Sequence, residues 1–304
     1  MWQGMLLSLA SGLCYGSLGV LAKFGYAQGM GVGLVLQCRF LFGAAFIFVF
    51  LLATRRRLLR LDLRGLAMVA AIGMALYCAQ SSFFFRSVRH IPISTTVLIL
   101  YGYPVTVTLL SIVLYKLRLT RLLGGSLLLV TGGCGLICYD AFLRELDATG
   151  VLYAFGSLCT FTLYLIVVQK VMQGRNPLSV SFYMILFTGL GFLILEGPAT
   201  LATLAPANLP VALGLGFIPT ALAVTLLFLA IERIGSAHAS IFSSLEPVAA
   251  LLAAHAFLGE PIVMLQVAGM LLILAGIILP NMTAALAMRR TKAVAADVRA
   301  RTQT

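Results

Sequence analysis

Long apolar runs interrupted by short charged or Pro/Gly/Asn-containing stretches recur along the whole chain. Cutting the chain at those stretches predicts ten spans, near residues 2–24, 31–53, 65–85, 92–115 and 121–139, then 149–171, 178–195, 208–231, 236–258 and 261–283. Each approaches the ~20 residues that cross a hydrocarbon core. Within each run the hydrophobicity is continuous rather than alternating, which predicts helices and not barrel strands, because an isolated strand leaves its backbone unsatisfied in lipid.

The pattern repeats. Residues Phe85–Leu117 lie on Phe228–Glu260 at a constant shift of 143, which places Pro104 on Pro247, and both segments show a polar break, a small-residue entry and a proline within the span. A shift of 145 sets Ser8, Gly12 and Tyr15 against Tyr153, Ser157 and Thr160. Five spans per half is an odd number, so the halves have opposite orientations, an arrangement common among secondary carriers. The predicted fold is an all-α integral membrane protein of ten transmembrane helices in two inverted five-helix repeats, 1–141 and 148–285, with a basic cytoplasmic tail at 286–304.

Composition sharpens this picture. Of 304 residues 61% are apolar and 10% charged, against about 25% charged in soluble domains, with a mean hydropathy of +1.07. A water-soluble globule is excluded. The net charge of +12 sits mostly in short Lys/Arg clusters beside the spans, and no nucleic-acid module accompanies it, so it reads as a topology signal and as contacts to lipid headgroups. With the N-terminus inside, sixteen of the 21 Lys and Arg fall on the inner side, including Arg55–Arg57, Lys116, Arg175 and tail residues from Arg289 to Arg301. Lys23, Arg39, Arg86, Arg89 and Arg144 fall outside. Both termini are therefore expected in the cytoplasm, with the chain in the plasma (inner) membrane. The six cysteines lie in apolar stretches as small hydrophobes, and Cys134 and Cys138 lack a His or an acid at metal spacing, so no metal site is expected.

The ten-span plan, the stretch Ser243–Pro261 with its Glu246-Pro247 and Gly259-Glu260 elements, Gln266, Gly269, Gly276 and Lys23 at the end of the first span resemble the EamA-type branch of the drug/metabolite transporter superfamily. The likeness covers nearly the whole chain. One departure is Tyr15-Gly16 where that family usually has Trp-Gly, so no substrate carries over from a Trp-bearing member. The resemblance implies export of amino acids, other metabolites or drugs through a cavity lined by spans one, three and four and their mates six, eight and nine.

Polar residues at helical spacing within spans point to the same place, since such groups face protein or water before lipid. Tyr153, Ser157, Thr160 and Tyr164 form one stripe, and Tyr77, Gln80, Ser81 and Phe84 another. Ser236, Ser240, Ser243 and Glu246 form a third. The competing explanation for a single Ser or Thr is interhelical packing. The predicted substrate-binding set is Tyr15, Tyr77, Gln80, Ser81, Tyr101, Tyr103, Thr160, Tyr164, Ser243 and Glu246. Pro104 and Pro247, each removing a backbone hydrogen bond, are candidate hinges or static kinks. Tyr103 and Glu246 precede them at matching repeat positions. Arg39 lies a third of the way into a span, where Arg is disfavoured by ~2.5 to 3.5 kcal/mol; snorkelling to the outer surface is the expectation for it.

The leading function is a secondary carrier exporting a small metabolite, an amino acid or related compound first, by alternating access. The alternatives are proton-coupled export of cationic or aromatic drugs and a non-transporting membrane scaffold. No catalytic constellation and no Walker signature is present in the sequence, so neither an enzyme nor an intrinsic ATPase is expected. The expected partners are a small-molecule substrate and membrane lipids, with no nucleic acid, no cofactor and a monomeric state.

Overall fold

The structure, a computed structural model, describes residues 2–91, 93–139, 146–259 and 261–279, with nothing said of the side chains at 93 and 94. Glu260, Arg144 and the tail 286–304 lie outside the described residues. Among the described residues every regular element is helical. Seven helices are long and apolar enough to cross a membrane. They are α1 (Trp2–Ala27), α2 (Val32–Thr54), α3 (Leu63–His90), α4 (Thr95–Tyr115), α6 (Ala148–Val171), α7 (Pro177–Glu196) and the long run Pro206–Ser243. Shorter apolar helices are α5 (Arg121–Ile137), Glu246–Leu258 and α10 (Met264–Leu279). The chain is a multi-pass membrane protein.

The run Pro206–Ser243 is not one straight rod. Gly235 (φ 76°, ψ 161°) leaves the helical region and divides it, so residues 209–234 form α8 and residues 236–243 begin α9. The second half of α9 is Glu246–Leu258. The expected eighth and ninth spans thus meet at a single glycine rather than a loop. The third span runs longer than expected, to His90, because residues 86–90 stay helical although four of the five are polar.

Two helices are broken inside the apolar slab, at equivalent places. With its first turn counted from Ile93, α4 consists of Ile93–Leu100 and Tyr103–Tyr115, and α9 of residues 236–243 and Glu246–Leu258; a shift of 143 superposes every boundary. The cause is local. Pro104 and Pro247 have no N–H for the carbonyls of Leu100 and Ser243, so the helix tightens into i→i−3 bonds, Gly102 N–H to Ile99 O (3.1 Å) and Ser244 N–H to Ile241 O (3.2 Å). The prolines then occupy the first turn of the next half-helix, where a missing N–H does no harm. The kinks expected at the prolines are therefore short breaks two to three residues ahead of them, at 101–102 and 244–245. A second matched irregularity is a widened π turn at Ile72–Tyr77 in α3 and Phe217–Leu222 in α8, offset by 145.

Packing joins one half to the other. α1 lies against α8 and α9, with Ser8 Oγ donating to Ala239 O (2.6 Å) and Ser11 Oγ to Ala223 O (2.7 Å). The mate contact sets α6 on α3, with Ser157 Oγ donating to Gln80 O (3.2 Å). α5 and α10 cross antiparallel: Gly133 faces Gly269, and Ser126 Oγ donates to Gly276 O (2.6 Å). A shift of 143 exchanges these two contacts, since it carries Ser126 to Gly269 and Gly133 to Gly276. Polarity is inverted relative to a soluble protein. Ser8, Ser11, Ser126 and Ser157 are fully buried, while Leu128 is 78% exposed on the outside.

The α3–α6 pair is latched at both ends by its own N-caps. Asp62 accepts from Gly65 N–H (2.9 Å) and from both Nε and Nη2 of Arg175 (2.7 and 2.8 Å), just beyond the end of α6. Asp147 caps α6 and meets His90 at the end of α3 (3.1 Å). The Arg175 guanidinium first, and then the Gly65 N–H, hold the Asp62 carboxyl well below the usual carboxylate range. Its contribution is present above the unfolded carboxylate pKa and is lost as pH falls through the folded one.

Two outcomes follow. A Cβ on Gly133 would meet Gly269 O at 2.6 Å, whereas Gly132 has nothing within 4 Å. Gly133→Leu should destabilise the detergent-purified protein by about 1–3 kcal/mol or more, read as a lower melting temperature, and Gly132→Leu should change it little; equal shifts would contradict the crossing. Asp62→Asn keeps the cap and removes the charge. It should lower the melting temperature at neutral pH, with the difference from the parent shrinking below about pH 4; a difference independent of pH would count against the latch.

Candidate functional site

A cavity of about 130 Å³ lies between the halves, far above the ~10–15 Å³ a single water requires. Its walls come from seven helices. α1 supplies Tyr15 and Leu18, and α2 supplies Arg39. From α3 come Tyr77, Gln80, Ser81, Phe84 and Phe85, and from α4 Val97, Leu100, Tyr101 and Tyr103. α6 gives Phe161 and Leu165, α8 Leu227 and Ile231, and α9 Ser236, Ser240, Ser243 and Glu246.

The two broken helices both border this space with opposite chemistry, and they touch where the Tyr103 hydroxyl donates to Ser240 O (3.4 Å). At the shift of 143, Val97 corresponds to Ser240, Leu100 to Ser243 and Tyr103 to Glu246, and all six line the cavity. The α4 wall is thus apolar and aromatic where the α9 wall carries hydroxyls and a carboxylate. Glu246 is the first residue of its half-helix, at the break ahead of Pro247, and its side chain borders the cavity. Gly12 lets α1 approach this break: a Cβ there would sit 2.7 Å from Ser243 O, the carbonyl that Pro247 leaves without its helical donor.

Eight of the ten predicted site residues meet here: Tyr15, Tyr77, Gln80, Ser81, Tyr101, Tyr103, Ser243 and Glu246. Thr160 and Tyr164 are placed off the wall. Thr160 Oγ1 donates to Gly156 O (2.7 Å) of its own helix. Tyr164 is 1% exposed and stacks on Tyr77 with ring centroids 4.6 Å apart, and its hydroxyl has no hydrogen-bond partner among the described residues. The polar stripe of α6 instead packs on α3, where Gln80 Nε2 donates to Ser157 Oγ (3.2 Å) and Tyr153 stacks on Phe83. One position further round α6, Phe161 and Leu165 form the wall. Pro104 and Pro247 lie behind the lining and are not part of it.

Sequence reasoning missed Arg39. It does not snorkel to a surface but is 7% exposed, its Nε donating to Thr220 Oγ1 (3.0 Å) and its guanidinium carbon 5.0 Å from the centre of the Phe40 ring. Thr220 sits in the π turn of α8 and itself donates to Leu215 O (2.8 Å), five residues back. The depth of Arg39 in its span was the available signal. The polar surroundings that keep it there come from another half of the chain, 181 residues away.

The EamA-like transporter family model matches residues 2–139 and 148–282. The chain belongs to the EamA-like transporter family. Its two matched segments divide between α5 and α6, so each EamA-like unit contributes one of the two broken helices. No curated protein matches the sequence. One solved crystal structure superposes with a TM-score of 0.77, covering 93% of this chain and 97% of the other at 17% identity, which shows a shared fold. As an EamA-like protein the chain is a membrane transporter by family, and the cavity lies between its two units.

A wider cleft of about 560 Å³ opens on the end of the molecule that carries Arg175, lined by Gln169, Gln173, Arg175, Asn176, Glu232 and Gly235, among others. Ile231 borders both spaces. The partition between them is therefore Ile231 and the turn at Gly235, fixed by Ser236 N–H donating to Gln169 Oε1 (2.6 Å).

In a background with the six cysteines replaced, Ser81→Cys should react with a small cationic methanethiosulfonate faster than Thr160→Cys, because only the first opens on the cavity. Equal reactivity would reject this geometry.

Proposed function

We propose that the chain is a secondary carrier of ten spans in two inverted halves, 1–141 and 148–285, exporting a small metabolite by alternating access from the plasma membrane. An amino acid or related compound is the leading substrate. Both termini are cytoplasmic, the tail 286–304 lies on the basic inner side, and the protein acts as a monomer. The observation that carries this reading is the cavity itself. It lies between two broken helices related by the repeat, one apolar and one polar, so a small amphipathic solute can be oriented in it. In such carriers the inverted halves exchange conformations and the central site opens to alternate sides. The thin partition at Ile231 and Gly235 suits an inner gate.

A second reading, export of cationic or aromatic drugs by proton antiport, is favoured by Glu246 sharing one cavity with Tyr15, Tyr77 and Tyr103, since aromatic faces and a carboxylate also hold cations. The two separate in proteoliposomes loaded with mixed amino acids and a cationic dye. Amino-acid efflux without dye efflux supports the first; dye efflux driven only by a proton gradient supports the second.

In the same assay Glu246→Gln should insert normally and transport about tenfold or more slowly, as expected for losing a hydrogen bond to a charged group worth ~1.5–3 kcal/mol. A parental rate with the parental pH dependence would make Glu246 architectural.

A further inference from the structure

We propose that Arg39 reads an anionic group on the substrate, so that the cavity selects zwitterions: a carboxylate held at Arg39 and an ammonium facing Glu246. This rests on the carrier reading and adds to it the residue that reads the substrate's carboxylate.

Three observations converge. Arg39 is more than nine-tenths buried and lines the cavity, yet among the described residues no carboxylate forms a contact ion pair with it. Among the described residues its one hydrogen bond, to Thr220 Oγ1, uses Nε and leaves the two terminal nitrogens of the guanidinium fork for a ligand. Thr220 is fully buried and fixed by its own bond to Leu215 O, so the fork is held in place before any ligand arrives.

Charge balance then decides the ligand. Arg39 and Glu246 open on one cavity, but no salt bridge joins them. A simple amine entering between them would pair with Glu246 and leave a buried guanidinium unpaired beside a like charge. A simple carboxylate would leave Glu246 without a donor from the ligand. A zwitterion satisfies both, and burying charge is tolerated only when it is paired. The aromatic and aliphatic wall of Phe84, Val97, Leu100 and Phe161 is left for an apolar side chain.

Arg39 lies apart from the stripes on α3, α6 and α9, and its tie to Thr220 also invites a purely structural role. The test must separate the two. Full-length protein in proteoliposomes is assayed for efflux of two matched pairs, L-phenylalanine with 2-phenylethylamine and L-leucine with isoamylamine, with protein-free vesicles correcting for passive leak of the amines. The parent should favour the amino acid of at least one pair about tenfold or more, since a site built to hydrogen-bond a group rejects the analogue lacking it. In Arg39→Gln that ratio should fall toward one, whereas a structural role would slow both members alike and leave the ratio unchanged. Thr220→Val, which removes only the Nε partner, should lower the ratio less and serves if Arg39→Gln does not fold. Equal efflux of acid and amine by the parent, or an unchanged ratio in either variant, overturns the assignment while leaving the carrier intact. No efflux of any probe by the parent overturns the carrier reading and this assignment with it.

Discussion

A helix interrupted in the middle of a lipid slab has to satisfy its freed backbone groups inside the protein, because the bilayer offers none in return. Pro104 and Pro247 impose that requirement twice, at equivalent positions, and the molecule closes around the two breaks. The i→i−3 turns at 101–102 and 244–245 take up part of the deficit. The remaining open groups face a cavity or a closely packed helix, as Ser243 O faces Gly12. Irregular backbone at membrane depth is tolerated where it is buried in protein or lines a cavity, and here both conditions hold.

Symmetry and chemistry pull in different directions around that centre. The scaffold contacts exchange under the repeat, as the α5–α10 crossing shows when Ser126 and Gly276 change places with Gly269 and Gly133. The lining does not. Three apolar or aromatic residues of α4 meet two serines and a glutamate of α9, so a backbone built by duplication presents two unlike walls. A symmetric lining would hold a solute equally well in two reversed poses; these unlike walls favour one.

The buried charges fit the same economy of pairing. Arg39 is retained at depth because α8 widens into a π turn that brings Thr220 to its Nε, while the Phe40 ring lies beneath the guanidinium. Glu246 begins a half-helix and borders the same cavity as Arg39. At the surface, Asp62 and Asp147 do comparable work as N-caps that reach the end of the neighbouring helix, tying α3 of one half to α6 of the other.

Much of this was legible in the sequence. Continuous hydrophobicity fixes helices, since nothing else of that length satisfies its backbone in lipid. The shift of 143 matched Pro104 with Pro247 and Tyr103 with Glu246, because a duplicated segment keeps its prolines and small residues. The stripes on α3 and α9 pointed inward as read. What the sequence could not decide was which side of a polar helix meets a neighbour and which meets a void. The stripe of α6 is as regular as the others, yet it packs on α3 through Ser157 and Tyr164, and the wall falls to Phe161 and Leu165. The fate of Arg39 was equally hidden, since the residue that holds it, Thr220, is 181 positions away in the other half. Periodicity along a chain reports that a face is polar. Only the crossing of helices from two halves determines what that face touches.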